Sequence, residues 1–410
     1  MDRARRLMDQ VGVSATSSAG RSDNDVVVVA AVRTPVTRAK RGAFASTSAT
    51  TMLTAALAGV LKASGVDPSL VEDIAVGTVL APGSSRANEA RIAAFLAGFP
   101  ESTCVRTVNR QCSSGLQAIA DIASSIQSGY IQVGIGAGVE SMTTDAMAWG
   151  GKIDLAAKQH PKARNCMIPM GITSDNVAKQ FGVDRQTQDA LSVKSHARAA
   201  KATATGRFKD EIVPVETEVK DPKTGAVKKV VVSKDDGIRE TSAEALAALK
   251  PVFTKDGTTT AGNSSQVSDG AAATLLMSRA TARRLGLKHI GVLRSFAVAG
   301  VPPEIMGVGP AYAIPAAVKK AGLSLNQVDL FEINEAFASQ ATYCVNKLGL
   351  SWDKVNVNGG AIALGHPLGC TGSRMTATLL HEMAKRKARF GVVSMCIGSG
   401  MGAAAVYERE

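Results

Sequence analysis

The second half of the chain repeats the order of motifs in the first half, and this repeat restricts the fold more than any other feature of the sequence. Gly65-Val66 and the segment from Val71 to Ile74 resemble Gly322-Leu323 and the segment from Val328 to Phe331, at one constant separation. Self-similarity at a fixed offset is typical of a duplicated structural unit. Chance similarity between two unrelated strand–helix units is the alternative.

Short apolar runs alternate with longer helical patterns in each copy. The β-branched run at 26–32 and the Gly-rich run at 133–139 predict strands, whereas 51–64 and 113–129 have helical spacing. This alternation predicts an α/β fold in which two duplicated halves contain mixed, largely parallel sheets covered by helices.

The length of the chain predicts more than one folding unit, because a single hydrophobic core rarely grows beyond about 250–300 residues. Between the two copies lies a charged stretch with a hairpin pattern, which predicts an inserted loop domain. We predict a targeting or flexible segment at 1–24, an N-terminal half at 25–142 completed by about 264–288, a loop domain at 143–263 and a C-terminal half at 289–410.

Composition excludes several classes of function. The net charge of +12 suits an anionic partner, but no long Lys/Arg run occurs and aromatic residues make up only 4%, which argues against nucleic-acid binding. No apolar stretch reaches the roughly 18 residues that a membrane-spanning helix requires. The six cysteines include no Cys-x-x-Cys pair, which argues against a zinc ribbon or finger, and we expect them to be reduced.

Cys112 is the first candidate catalytic residue. It lies in Asn109-Arg110-Gln111-Cys112-Ser113-Ser114-Gly115, at the start of the helix predicted for 113–129. The thiolate is the nucleophilic form, and a helix N-terminus lowers a thiol pKa from about 8.5 toward neutrality. A buried, inert cysteine is the alternative.

His366 and Cys396 are two further candidates on Gly-rich turns. His366 lies between Gly365 and Pro367, a restricted turn that would aim its imidazole to accept a proton or to stabilise an oxyanion. Cys396 ends an apolar strand and precedes Gly398-Ser399-Gly400, where α/β folds place ligands. A structural histidine and a structural or redox cysteine are the alternatives.

Two polar segments complete the set. Asn334-Glu335 ends an apolar strand, and Asn334 would either orient a water or carbonyl group or cap a helix. The segment 261–265 is either a plain turn or a hydrogen-bonding surface for a ligand chain.

Together these motifs resemble the four active-site loops of the thiolases. The matching segments are 109–115, 334–337, 365–367 and 396–400, and the similarity runs from about Asp25 to the end of the chain. The resemblance is to the 3-ketoacyl-CoA thiolases of the peroxisomal type, and it implies the thiolase fold and an acyltransferase acting in fatty acid β-oxidation.

The resemblance also implies a role for each catalytic candidate. Cys112 would attack the 3-keto carbon and carry the acyl group as a thioester. His366 would activate this thiol and, with a water positioned by Asn334, hold the enolate oxygen of acetyl-CoA. Cys396 would protonate the enolate carbon and then deprotonate coenzyme A. Backbone N–H groups of Cys112 and Gly398 would form a second oxyanion hole.

Contacts with coenzyme A are carried over in the same way. Ser265 would meet the pantetheine arm, Arg239 the nucleotide end, and Met170 and Phe337 would line the substrate tunnel. Coenzyme A is a substrate here, so the resemblance implies no cofactor and no metal. It implies a homodimer or a dimer of dimers.

Residues 3–11 have the spacing of a peroxisomal import signal, although Ala4 and Val11 depart from its usual residues. This spacing predicts recognition by the peroxisomal import receptor. A mitochondrial presequence or a cytoplasmic location is the alternative, and Asp2 and Asp9 argue against the presequence.

Three other functions compete with degradative cleavage. The first is an acetoacetyl-CoA thiolase working in the biosynthetic direction. The second is a decarboxylating ketosynthase, which would be expected to have a histidine where Cys396 stands. The third is a catalytically silent acyl-CoA or lipid binder, which the presence of all four polar motifs disfavours.

Overall fold

A computed structural model describes residues 21–81, 83, 85–145, 147, 152–220 and 224–410. Most of the predicted targeting segment, including residues 3–11, lies outside the described residues.

The first half of the chain alternates strands and helices. Its elements are β1 (Val26–Arg33), β2 (Thr37–Arg38), α1 (Ala49–Ser64), β3 (Asp73–Gly77), α2 (Ala87–Leu96), β4 (Cys104–Val108), α3 (Ser114–Gln127) and β5 (Val133–Ser141). Ser48 caps α1 by accepting a hydrogen bond from the backbone of Thr51, and Gly65 ends this helix in the left-handed conformation.

Short helices and one hairpin occupy the middle of the chain. They are α4 (Leu155–Gln159), α5 (Pro161–Asn165), α6 (Met170–Phe181), α7 (Arg185–Ala204), β6 (Val215–Lys220), β7 (Val227–Val232) and α8 (Ala243–Ala247). Strands β6 and β7 pair antiparallel, as the alternating pattern predicted. The boundaries given for the loop domain and for the two halves stay predictions.

The second half repeats the alternation. Strand β8 (Ser268–Ser278) and α9 (Arg279–Arg284) first return to the first half, where β8 pairs with β1 and β5. The elements of the second half are β9 (Gly291–Gly300), α10 (Gly309–Lys320), β10 (Leu330–Ile333), α11 (Ala338–Leu348), α12 (Ala361–Leu364), α13 (Leu368–Arg386), β11 (Phe390–Ile397) and β12 (Met401–Glu408).

The sheet topology shows the duplication directly. In the first half the strand order is β1-β8-β5-β3-β4, and in the second half it is β9-β12-β11-β10. Each order contains two antiparallel pairs followed by a parallel pair. A single parallel bridge from Phe331 to Val355 stands where β4 pairs in the first copy.

The sheets are mixed, as predicted, but the expectation that they are largely parallel is wrong. Antiparallel pairing predominates because β8 and β12 each lie between two neighbours that run the opposite way. In the second copy, β12 follows β11 through the tight turn at 398–400, and a tight turn can join only antiparallel strands.

Burial defines five layers of helices and sheets. One core packs α1 and α2 against the outer face of the first sheet, and another packs α10 and α11 against the outer face of the second. Helices α3 and α13 fill the space between the sheets. Because both faces of every central strand are covered, Val26 and Val27 are equally buried although they point in opposite directions.

Glycines let α3 and α13 pack backbone to backbone at their first turns. A Cβ on Gly115 would lie 2.6 Å from the carbonyl oxygen of Gly369, and one on Gly372 would lie 2.4 Å from the nitrogen of Leu116. This close approach brings the loop before α3 next to the loop before α13. It therefore places Cys112 and His366, which precede these helices, at one end of the central layer.

Candidate active site

The Cys112 loop is a tight turn held by its own polar side chains. Asn109 Oδ1 accepts a hydrogen bond from the backbone of Gln111 at 2.9 Å, and Ser114 Oγ accepts one from Arg110. Gln111 has a φ of 47°, a left-handed conformation that non-glycine residues seldom adopt. This turn holds the Cys112 side chain at 2% exposure.

The Cys112 thiol is a weak acid in this structure. Burial raises its pKa to about 11, and hydrogen bonds from the backbone N–H groups of Gly398 and Cys112 oppose that rise without cancelling it. The expectation that a helix N-terminus lowers this pKa toward neutrality is therefore wrong. The helix begins at Ser114, and desolvation of the sulfur outweighs the N–H groups.

The two N–H groups that donate to the Cys112 sulfur belong to Cys112 and Gly398, which are far apart in sequence. Gly398 lies in the turn after β11, where Ser399 has a φ of 67° and Gly400 a φ of 91°. Two N–H groups directed at one buried atom form the kind of pocket that stabilises an oxyanion. The predicted second oxyanion hole thus has both of its donors beside the Cys112 sulfur.

His366 is fixed on both sides of its ring. Its Nδ1 lies 2.6 Å from Thr371 Oγ1, and its Nε2 lies 3.3 Å from Asn334 Nδ2. The Thr371 hydroxyl donates its single proton to the Pro367 carbonyl, so it accepts from Nδ1–H. Nε2 therefore keeps its lone pair and can accept a proton.

Burial keeps the His366 imidazole neutral. Desolvation, with a smaller contribution from the Arg374 cation, lowers its pKa to about 3. A neutral imidazole whose Nε2 lone pair accepts only the 3.3 Å contact from the Asn334 amide is competent as a general base. The site at rest is thus a neutral thiol beside a neutral imidazole, rather than an ion pair.

Asn334 has a buried oxygen without a protein partner. The residue is 1% exposed, its Nδ2 lies beside His366, and its Oδ1 accepts no hydrogen bond from the described residues. A buried amide oxygen without a protein donor is a suitable acceptor for a bound water. This geometry fits the water-positioning role expected of Asn334.

Cys396 lies one residue before the end of β11 and is fully buried. It packs with Met306, Ala336 and Phe337. Desolvation first, and then the proximity of Cys112, raises the pKa of its thiol well above the usual value. The two sulfurs therefore lie within electrostatic range of each other, although most of the sequence separates them.

A cavity of about 160 Å³ lies against Cys112 and His366, whereas Asn334, Cys396 and Gly398 are not part of its lining. Cys112 and His366 line it together with three of the four residues predicted to contact coenzyme A, which are Ser265, Met170 and Phe337. The fourth, Arg239, is exposed and lies outside the lining, and its backbone N–H donates to His196 Nδ1. Its contact with the nucleotide stays a prediction.

The structure adds residues that the motifs did not indicate. Thr371 orients His366, and Gln340 lies 3.9 Å from the Cys396 sulfur. Met306 and Phe253 extend the apolar wall of the cavity. Thr371 is only five residues after His366, so its closeness in sequence was an available signal, whereas Met306 and Phe253 reach the site through tertiary packing.

Metal binding and membrane spanning are the two other features to consider. Among the described residues, no group of three or more His, Cys, Asp or Glu side chains is arranged to hold a metal ion. None of the helices in the described ranges is both long enough and apolar enough to cross a membrane.

Fold and site together define a thiolase, and the chain belongs to the thiolase family. Its sequence matches the family description "Thiolase, N-terminal domain" over residues 26–280 and "Thiolase, C-terminal domain" over residues 287–409. The predicted family is thereby confirmed. Thiolases are acyltransferases, so the chain is an enzyme of that class.

Two proteins named as peroxisomal thiolases are similar to most of the chain. The chain is 63% identical to the peroxisomal 3-ketoacyl-CoA thiolase 2 of Arabidopsis thaliana, over 94% of this chain and 84% of the relative. The crystal structure of the dimeric peroxisomal thiolase of Saccharomyces cerevisiae matches with a TM-score of 0.88 at 45% identity, covering 95% of this chain and 99% of the other.

A third similar protein was solved with a ligand. It is the human mitochondrial 3-ketoacyl-CoA thiolase in complex with CoA, which matches with a TM-score of 0.84 at 37% identity, over 94% of this chain and 98% of the other. The predicted thiolase fold is confirmed by these structures.

Proposed function

We propose that the chain is a 3-ketoacyl-CoA thiolase that cleaves 3-ketoacyl-CoA with coenzyme A, giving acetyl-CoA and a shortened acyl-CoA. One observation carries the proposal: a thiol and a neutral imidazole line one apolar cavity, two backbone N–H groups are directed at that thiol, and a second thiol is buried nearby. The relatives named as 3-ketoacyl-CoA thiolases support the same substrate class.

The first half-reaction uses the neutral pair. His366 Nε2 takes the Cys112 proton as the sulfur attacks the C3 carbonyl, so no thiolate need exist beforehand. The C2–C3 bond then breaks, and its electron pair passes to the acetyl-CoA fragment as an enolate. His366 and a water held by Asn334 would stabilise the enolate oxygen.

Cys396 completes the exchange of protons. It gives its proton to C2 of the enolate, which forms acetyl-CoA, and it then takes the proton of incoming coenzyme A. The new thiolate attacks the Cys112 thioester, whose oxygen is held by the N–H groups of Cys112 and Gly398. The bond from the acyl carbon to Cys112 then breaks, and the Cys112 sulfur takes back its proton from His366. Two thiols thus divide nucleophilic and proton-transfer work.

Thiolytic cleavage measured across a series of 3-ketoacyl-CoA chain lengths tests the proposal. We expect turnover on medium or long chains, and we expect acyl-CoA without coenzyme A to leave an acylated peptide that contains Cys112. Activity confined to acetoacetyl-CoA would instead support the biosynthetic thiolase. Binding of acyl-CoA without any acylated peptide would contradict the proposal.

We propose that the assembly is a homodimer formed through the edge of the first sheet. Strand β4 ends the sheet order, so one side of it is open for pairing. Beside it, α2 exposes Ile92, Phe95 and Leu96. The related yeast thiolase is named as dimeric.

Sedimentation of a Leu96→Glu variant tests this interface, because Leu96 is 66% exposed in the single chain. A charge buried there without a partner would favour monomers. An unchanged dimer would contradict the proposed edge.

We propose a peroxisomal location, which the names of the similar plant and yeast proteins support. Residues 3–11 would bind the import receptor. A fluorescent protein carrying residues 1–24 at its N-terminus is expected to enter peroxisomes, and a diffuse or mitochondrial signal would contradict this role of the segment.

A further inference from the structure

The Cys396 thiol is buried among apolar side chains, with one polar side chain beside it. Met306, Ala336 and Phe337 form its apolar surroundings. Its hydrogen bond among the described residues goes from Sγ to Gln340 Oε1, at 3.9 Å. A thiol this far from water keeps its proton unless a neighbour favours its loss.

Two contacts fix the orientation of the Gln340 side chain. Oε1, which accepts from Cys396, also accepts the backbone N–H of Ala336 at 3.0 Å, so the oxygen faces Ala336 and Cys396. Nε2 has no hydrogen bond among the described residues. Burial raises the pKa of the nearby Cys344 thiol to about 12, and the Gln340 side chain opposes that rise only in part. Gly307 packs against the Gln340 side chain so closely that a Cβ there would lie 2.5 Å from the Gln340 Cβ.

Gln340 thereby links two of the active-site loops. It lies in the first turn of α11, directly after the segment that carries Asn334. Through Ala336 it holds that segment, and through Oε1 it reaches the thiol at the end of β11. No motif match assigned a role to this residue.

We propose that Gln340 is a positioning residue for Cys396, whose Oε1 keeps the thiol protonated and in one orientation until the enolate forms. The inference rests on the proposed thiolase function. An acceptor oxygen stabilises the S–H form over the thiolate. The S–H form is the state needed to protonate carbon. When the enolate appears, the S–H bond breaks, a C–H bond forms at C2, and the electron pair stays on sulfur.

The role predicts that Gln340 matters far more for proton transfer at carbon than for acylation of Cys112, because a coenzyme A thiolate can leave without a proton. Gln340→Met keeps the length of the side chain and removes the acceptor. In D2O, deuterium enters C2 of acetyl-CoA when Cys396 takes the C2 proton as a thiolate and returns a deuteron as a thiol. Both transfers need the sulfur in the orientation that Gln340 gives it, so this exchange reports the step. We expect exchange and cleavage to fall at least about tenfold, and acetylation of Cys112 by acetyl-CoA to change less than about threefold.

Gln340→Glu tests whether the acceptor itself matters. Burial raises the pKa of a carboxyl group, so the neutral acid keeps an acceptor oxygen for Ala336 and Cys396. We expect its exchange rate to lie between those of the wild type and Gln340→Met. An exchange rate of Gln340→Glu no higher than that of Gln340→Met would overturn the proposal. If Gln340→Met does not fold, Gln340→Glu is compared with the wild type alone, and a complete loss of its exchange would overturn the proposal.

Cys344→Ala is the matched control. Cys344 lies one turn further along α11, is fully buried and faces the other side of the same amide. We expect it to keep both acetylation and exchange within about twofold. If it lost exchange as Gln340→Met does, packing of α11 rather than the acceptor would explain the result, and the proposal would fall.

The outcome for the wild type separates this inference from the proposed function. A wild-type chain that neither acetylates Cys112 nor exchanges C2 protons would refute the thiolase proposal itself. A wild-type chain that does both, with Gln340→Met losing both equally or neither, would refute only the role of Gln340.

Discussion

Each catalytic residue here is uncharged before substrate arrives. Burial raises the pKa of Cys112 to about 11 and lowers that of His366 to about 3, so proton transfer between them is uphill at rest. Substrate must change this balance by offering a carbonyl oxygen to the donors around the sulfur. A site of this kind protects its thiol from adventitious chemistry and becomes reactive only when occupied.

Labelling of Cys112 by iodoacetamide should follow this weak acidity. Only the thiolate reacts, so the rate should rise about tenfold for each pH unit between 7 and 9 without reaching a plateau. Peptide mass spectrometry would separate Cys112 from the exposed Cys104 and Cys166. A plateau near pH 7 would show a thiolate already formed, against the pKa argued from burial.

Replacing Cys396 with alanine should separate the two half-reactions. Without its thiol, acylation of Cys112 by acyl-CoA should persist, because a coenzyme A thiolate can leave without being protonated. Carbon–carbon cleavage and synthesis need a proton moved at carbon, so they should fall by at least about a hundredfold. Acyl-peptide yield and thiolytic rate give the two readouts. Cys104→Ala, an exposed position on β4, is the control. Equal loss of both steps would remove the proton-transfer role of Cys396.

At the scale of elements, Cys112, His366 and Gly398 lie on turns, whereas Cys396 lies near the end of strand β11. The turns at 109–113, 365–367 and 398–400 each contain a residue with positive φ, and each follows or precedes a central element. Because such turns need particular residues, they leave a mark in the sequence. That is why the catalytic candidates could be found from motifs.

Gly365 offers a direct test of this dependence. Its φ of 100° and ψ of 164° belong almost only to glycine, and a Cβ there would lie 2.2 Å from Ser268 Oγ. Gly365→Ala should destabilise the fold by about 2 kcal/mol or more and displace His366, so that thiolysis is lost. Urea unfolding and a rate assay would measure the two effects.

Gly129→Ala is the matched comparison for that variant. Gly129 also has a positive φ, of 75°, but no atom lies within 4 Å of the position that its Cβ would occupy. We expect a loss of only about 1 kcal/mol and unchanged thiolysis. If the two variants behaved alike, the close packing around Gly365 would not matter for the site.

What the sequence could not provide depends on packing between distant elements. Gln340 reaches the Cys396 sulfur only because the fold places α11 beside the end of β11, 56 residues further along the chain. The direction of the Cys112 pKa shift failed for the same reason, since burial comes from the whole fold. The predominance of antiparallel pairing also depended on where β8 and β12 insert.

At the scale of the whole molecule, one buried charge cluster joins the first half, the middle segment and the second half. Arg33 at the end of β1 donates to Glu211 at 2.6 Å and to Asp235 at 2.7 Å. Glu211 also accepts a hydrogen bond from Thr378 of α13. All three charged side chains are at most 2% exposed, so each depends on the others for its neutralisation.

Comparing Arg33→Met with Arg38→Met would measure how much more a buried ion pair contributes to the unfolding free energy than an exposed one. Arg33→Met leaves two carboxylates buried without their cation and should cost about 3–5 kcal/mol of unfolding free energy. Arg38 is 47% exposed and lies 3.6 Å from Asp236, the next residue along from Asp235. Its loss should cost at most about 1 kcal/mol, because water replaces the exposed pair. Urea denaturation gives both values. Equal losses of unfolding free energy for Arg33→Met and Arg38→Met would mean that the cluster relaxes or takes up water when Arg33 is removed. The cluster would then not be needed to hold the three parts of the chain together.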